Sequence, residues 1–525
     1  MHNHGSFHFG YRMRNCAHIL FVLIGGMMFG VCDFAHAQQA VLTSSLQTSP
    51  ISADGLQRWH AEKDRGGPTF SGSPAWHAHM QFIEEELRGR GVIDLDRELI
   101  GYSRWFASDD PASADRSLTI DGKAIEVAAY WAYSGSTDEQ GVTAPLVHFR
   151  KKMPAAELRD RIVVFDVGSP PASMAAAFKA GNEFQTADLV DYDPGFVSDQ
   201  WFQGNFVTRF GRFDTILKDS GALGGLVIFS MSPGRVRGLY TFPLLNPGVI
   251  GVPGLYLDQV AGQEVREAAI AGRTASLKLI AHEESVETYF LSGVLPGQHY
   301  GTEADEFVLL VTHSEGPNLS QENGTLGILA IIDHFARLPR AERNRSLLVL
   351  FDPQHYMPGR HLVHWYEDHP EIVARIVSSI GVEQLGQKEY AEDGDSYGLS
   401  GFAEPTIIFA QDNEVLIDAA VHAVQAADLP RTEVRVPSRG GQGMWAGLGD
   451  FAIKYNKPGF AISSAMSGYW TTTPGIESFD AELCHQQIGL LVSLTQVLME
   501  ASLADIAVPL VDPGSNPAMS PGVRR

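Results

Sequence analysis

Residues 306–386 decide the fold. They begin Glu306-Phe307-Val308-Leu309-Leu310-Val311-Thr312-His313-Ser314-Glu315 and continue through Gln321-Glu322-Asn323-Gly324. They pass through Leu347-Leu348-Val349-Leu350-Phe351-Asp352-Pro353-Gln354-His355 and end Ser379-Ile380-Gly381-Val382-Glu383. Three apolar runs each close on a polar cluster. Short continuous apolar runs bounded by Gly and Pro read as buried parallel strands. In open α/β sheets, ligands bind beyond the carboxyl ends of such strands. His313, Glu322, His355 and Glu383 therefore collect where this fold class places its chemistry.

Strand–helix alternation continues on the C-terminal side. A helix over 324–338 carries Leu326, Leu329, Ile332 and Phe335 on one face. Strands at 347–351, 377–383, 405–410 and 459–464 follow, with helices at 359–368, 413–428 and 480–502. This pattern predicts a mainly parallel mixed sheet sandwiched by helices. Upstream, Ser73-Pro74 caps a helix whose Trp76, Met80, Ile83 and Leu87 share a face. Residues 38–70 are polar and read as extended or disordered. Strands at 162–165, 224–229 and 252–257 form a separate group, which predicts a smaller β-rich domain inserted at 160–285. The expected division is 1–37 leader, 38–159 first part of the main domain, 160–285 insertion, 286–508 main domain and 509–525 disordered tail.

With 525 residues the chain is too long for one ordinary core. Thirty-nine basic against 62 acidic residues, a net charge of −23, argue against nucleic acid or an anionic membrane surface as partner. Arg12 and Arg14, the apolar segment Ile19 to Val31 and Ala35-His36-Ala37 read as a cleavable secretory signal rather than a membrane anchor. Cys16 and Cys32 would leave with it, and Cys484 alone cannot form an intramolecular disulfide. The expectation is a secreted or periplasmic bacterial protein with no membrane span after cleavage. Oligomeric state is not legible.

Imidazole and carboxylate donors together suit zinc or a similar divalent ion. Glu315 is placed to orient His313. The intervals match no local metal motif, however. From the residues alone the default is a set of polar loop residues at strand ends, and a metal centre is the alternative.

Tyr289-Phe290-Leu291-Ser292-Gly293-Val294-Leu295-Pro296-Gly297, the strand end Val311-Thr312-His313-Ser314-Glu315 and the loop Gln321-Glu322-Asn323-Gly324-Thr325 together resemble the secreted zinc aminopeptidase family, peptidase family M28. That family includes bacterial leucyl aminopeptidases and glutamate carboxypeptidase. Gln354-His355 falls where the family has a Glu-Glu pair, Glu383 at a later acidic ligand and Tyr469-Trp470-Thr471 at its Tyr-His-Thr. The insertion resembles a protease-associated domain. The resemblance implies a zinc-exopeptidase-like fold, peptide substrates and two metals sharing a carboxylate. It also implies departures. His313, Glu322 and Glu383 would hold the first metal, with His355 able to ligate. The second would need the residue at 470, and Trp470 carries only a donor. The general base position is Gln354, whose amide cannot take a proton from water. Asp352, Glu315 and His355 are the candidates to replace it, with Asp352 otherwise reading as a solvated turn residue. The expectation is a peptidase-like hydrolase with one zinc rather than two, or a non-catalytic peptide-binding protein on the same scaffold.

Overall fold

The computed structural model describes residues 51–509 apart from 111, 170–180, 191–198, 200–201, 208–210, 242–247, 355, 358–361, 440–444, 446–447, 466 and 469. His355, Tyr469, the Gly440–Gly443 loop, the leader and nearly all of the tail lie outside the described residues.

The larger unit is a nine-stranded mixed sheet. Its centre is parallel: Phe307–His313 lies between Ser346–Asp352 and Ile376–Val382, and Gly459–Ser464 follows in parallel. All four strands are buried along their length, so both faces must be covered. The long strands Ile93–Ala107 and Ala281–Leu295 form an antiparallel edge. On the far side Thr406–Ala410 runs antiparallel to Gly459–Ser464 and parallel to Thr432–Arg435. The sheet is thus parallel only in its middle.

Helix Gly324–Ala336 is apolar all round and sits in the largest core, with Leu326, Ile328, Leu329, Ile332 and Phe335 fully buried. It can approach the strands because it begins with Gly324. A Cβ there would meet the Val382 carbonyl oxygen at 2.0 Å and Thr312 Oγ1 at 2.1 Å. This contact presses the Glu322–Asn323 loop onto the ends of strands Phe307–His313 and Ile376–Val382. The long helix Ala481–Glu500, capped by Asp480, packs on the same face and buries Cys484.

Residues 53–65 correct the expectation of an extended segment. Ala53–Arg65 is a helix, with Ser52 as N-cap, and it buries Leu56, His60 and Lys63. Helix Pro74–Gly89 forms as its Ser73 cap and Pro74 start predict, burying Trp76, Met80, Ile83 and Leu87. His334, on helix Gly324–Ala336, is buried with its ring 5.0 Å from that of Phe335.

The smaller unit is an eight-stranded sheet whose strands run from Arg116 to Leu279. It therefore starts well ahead of residue 160. Antiparallel pairing of Arg116–Ile120 and Val142–His148 with Thr274–Leu279 brings those early strands into it. One strand from this region leaves it: Asn182–Gln185 pairs with Thr432–Arg435 and extends the larger sheet. A separate hairpin, Lys388–Asp393 with Ser396–Ala403, packs against the short helix Pro233–Val236 of the smaller unit. Among the described residues no helix is long and apolar enough to cross a membrane.

Candidate metal centre

Parallel register places His313 directly beside Asp352. Both are buried, and His313 Nδ1 lies 3.4 Å from Asp352 Oδ2. On the other side of the ring, Nε2 lies 3.7 Å from Glu383 Oε1. The imidazole is thus bracketed by carboxylates from the ends of two neighbouring strands. Asp352 is not a solvated turn residue. Its Oδ1 accepts from Gln354 N at 2.9 Å, and its carbonyl accepts from Ser314 N at 2.8 Å. Asp352, rather than Glu315, sits at His313 Nδ1. Glu315 Oε1 instead accepts from the Tyr356 backbone N–H at 3.0 Å.

Glu322 is fully buried on the loop that Gly324 holds down. Its carboxyl is held well above the usual carboxylate range, first by burial and then by the charge of Glu383, with His313 and Lys63 opposing. Glu315 is raised likewise, by burial above all, against the pull of His313. Burial works to lower the His313 pKa, but the Asp352 hydrogen bond and charge, with Glu315 and Glu322, raise it well above the ordinary value. A metal taken up here would compete with a proton for the ring nitrogen.

Sequence patterning missed two buried groups behind this cluster. Lys63 Nζ donates to the carbonyls of Asn318 at 3.3 Å and Leu319 at 3.5 Å. Burial brings its pKa down to about 8, against the opposing charges of Glu322, Asp64 and Glu315. It remains largely charged at neutral pH and partly balances the carboxylates. His60 Nδ1 donates to the Leu56 carbonyl at 2.8 Å, and its Nε2 accepts from Asn323 Nδ2 at 3.0 Å. A carbonyl only accepts and an amide nitrogen only donates, so these two bonds select one neutral tautomer. The ring also stacks on Phe479 with centroids 3.8 Å apart. The spacing Leu56, His60, Lys63 is helical, and Ser52 stands ahead of it as a cap. That was the available signal, hidden because two of the three inward residues are polar.

Trp470 is fully buried at positive φ (63°) and belongs to the core of the smaller unit. Its indole lies on Gly204, where a Cβ would come within 1.6 Å of the ring. Its backbone N–H donates to Gln321 Oε1 at 2.7 Å, and its carbonyl accepts from Tyr240 N at 2.6 Å. Asn318 Nδ2 donates to the carbonyls of Gly468 at 3.1 Å and Thr471 at 2.9 Å. Gly468, Trp470 and Thr471 thus tie the loop before Glu322 to the smaller unit.

Among the described residues no three His, Cys, Asp or Glu side chains converge as a metal-holding group. The donor chemistry, imidazole with carboxylates, is nevertheless of a kind that suits a divalent ion. Two buried carboxylates beside an imidazole repel one another, and a divalent cation relieves that repulsion. His313 and Glu383 supply one edge of such a site. Glu322, or His355 outside the described residues, would have to close it.

No family model and no curated protein matches the sequence. Solved structures of similar fold do. They include a peptidase M28 precursor from Shewanella amazonensis, at 14% identity and a TM-score of 0.63, covering 91% of this chain and 99% of that one. An aminopeptidase from Aneurinibacillus sp. strain AM-1 is 12% identical with a TM-score of 0.56, over 90% of this chain and 98% of that one. A zinc aminopeptidase from Bacillus subtilis is 14% identical with a TM-score of 0.56, over 88% and 100%. At these identities the likeness defines the fold, which is that of the zinc-exopeptidase-like aminopeptidases.

Proposed function

We propose that the chain is a secreted hydrolase of peptides on the metallopeptidase fold, with an altered site that holds one zinc ion on His313, Glu322 and Glu383, assisted by His355. The observation that carries this reading is the approach of His313 Nε2 to Glu383 Oε1 at 3.7 Å, with the fully buried Glu322 electrostatically linked to both. The solved neighbours are named as aminopeptidases and an M28 peptidase, which supports peptides as the substrate class. A bound ion would polarise a peptide carbonyl and acidify water. The chain's own groups set the limits. Asp352 fixes the His313 ring from behind, and Lys63 offsets carboxylate charge. Gln354, at the general base position, donates and accepts hydrogen bonds but holds no proton. Loss of a general base is typically worth about 10²–10⁴-fold in rate, so turnover should be slow.

A non-catalytic peptide-binding protein is the second reading, favoured by the diversion of Trp470 into the smaller core. Hydrolysis of aminoacyl anilides by the purified chain, with and without chelator, separates the two. Slow release abolished by chelator is the expected result. Retention of peptides with no chelator-sensitive release supports the second reading and sinks the first.

A further inference from the structure

The Gln354 side chain is 2% exposed, yet neither its amide oxygen nor its amide nitrogen has a hydrogen-bond partner among the described residues. Its backbone is pinned. The N–H donates to Asp352 Oδ1 at 2.9 Å, and the carbonyl of the preceding Pro353 accepts from Ser71 Oγ. Gln354 thus stands at the carboxyl ends of the central strands, bonded to the carboxylate that flanks His313. Buried amides in folded proteins are nearly always satisfied, because an unmade bond carries the full desolvation cost of each polar group. Neither group is released by exposure to solvent. Both are left with unused hydrogen-bonding capacity beside the His313–Asp352 pair.

We infer that Gln354 is the recognition residue for an amide group of the ligand, giving one N–H bond and accepting another. This rests on the reading of the site as a peptide site and specifies the chemistry it selects. A carboxylate or an ester offers only acceptors and would leave the Gln354 oxygen unpartnered. A peptide group or a terminal carboxamide offers an acceptor and at least one donor and satisfies both atoms. A site built to bond an N–H discriminates strongly against an analogue that lacks it. The residue that replaces a proton acceptor therefore sets ligand specificity.

The test uses the purified full chain, with leucinamide and leucine methyl ester as probes, of which only the first carries an amide group. Affinity is measured by calorimetry, and recovery of intact probe is checked by mass spectrometry. The wild type is expected to bind the amide at least tenfold more tightly than the ester. Gln354→Met, which removes both polar atoms and keeps the volume, is expected to erase that preference while melting at or above the wild-type temperature. A buried structural water would give the opposite thermal result, since Gln354→Met would then melt lower. Equal binding of the two probes by the wild type, no binding of either, or a preference that survives in Gln354→Met also overturns the inference. Absence of zinc or of turnover would refute the hydrolase reading without touching this one, because neither readout depends on metal content or rate.

Discussion

Single residues divide sharply in what the sequence reveals of them. The positions of His313 and Glu383 are legible because each closes an apolar strand, and that of Glu322 because it stands in the loop before helix Gly324–Ala336. Asp352 is not, because a carboxylate before proline reads as a turn. Only the parallel register with His313 shows it buried against the ring. Glu404 is another such residue. It is buried, and its carboxyl is pushed up to about 8 by burial, against the hydrogen bonds it accepts from Ser467 Oγ and the Ser467 N–H. Its ordinary value is 4.5. Between these values the folded chain keeps a proton that the unfolded chain has released. The stability it contributes is therefore greatest below about 4.5 and declines as pH rises to about 8. Glu404→Gln removes that slope. At pH 8.5 the variant should be more stable than the wild type by on the order of a few kcal/mol, with the gap closing at pH 5. Urea unfolding at the two pH values checks this, and a gap that does not change with pH would count against it.

At the scale of elements, apolar strands and amphipathic helices follow their periodicity closely, as Phe307–His313 and Pro74–Gly89 do. Helix Ala53–Arg65 does not, because it docks through polar groups. His60 meets Asn323, and Asn323 in turn exchanges bonds with Leu385, donating to its carbonyl at 2.7 Å and accepting from its N–H at 2.8 Å. The helix therefore helps to hold the loop that carries Glu322. Burial, the largest influence, brings the His60 pKa down to about 3. The unfolded chain takes up that proton near 6.5 and the folded chain does not, so this contribution is present above 6.5 and is lost as pH falls towards 3. His60→Ala removes the Phe479 stack and leaves Asn323 short of a partner. It should cost about 2–4 kcal/mol and flatten part of the acid limb of stability. Denaturant titration at pH 7 and pH 5 measures both effects. A variant as stable as the wild type would show that the helix is not anchored there.

For the whole molecule, the alternation after Glu306 forecasts the α/β architecture, but not how the two units are joined. The strands of the smaller sheet are short and far apart in sequence, and Thr274–Leu279 gathers them only through non-local pairing. Nothing local marks Asn182–Gln185 as an edge of the larger sheet, or Trp470 as a core residue of the smaller unit. These joins commit position 470 to packing. Its side chain is committed to Gly204 and its backbone to Gln321 and Tyr240. We propose that His313, Glu322 and Glu383 hold a single ion. Anomalous scattering at the zinc edge, from crystals of the purified chain, tests it most directly. One peak between His313 Nε2 and the Glu383 carboxylate, within bonding distance of Glu322 or His355, is the predicted result. No peak there, or two peaks a few ångströms apart, would contradict it.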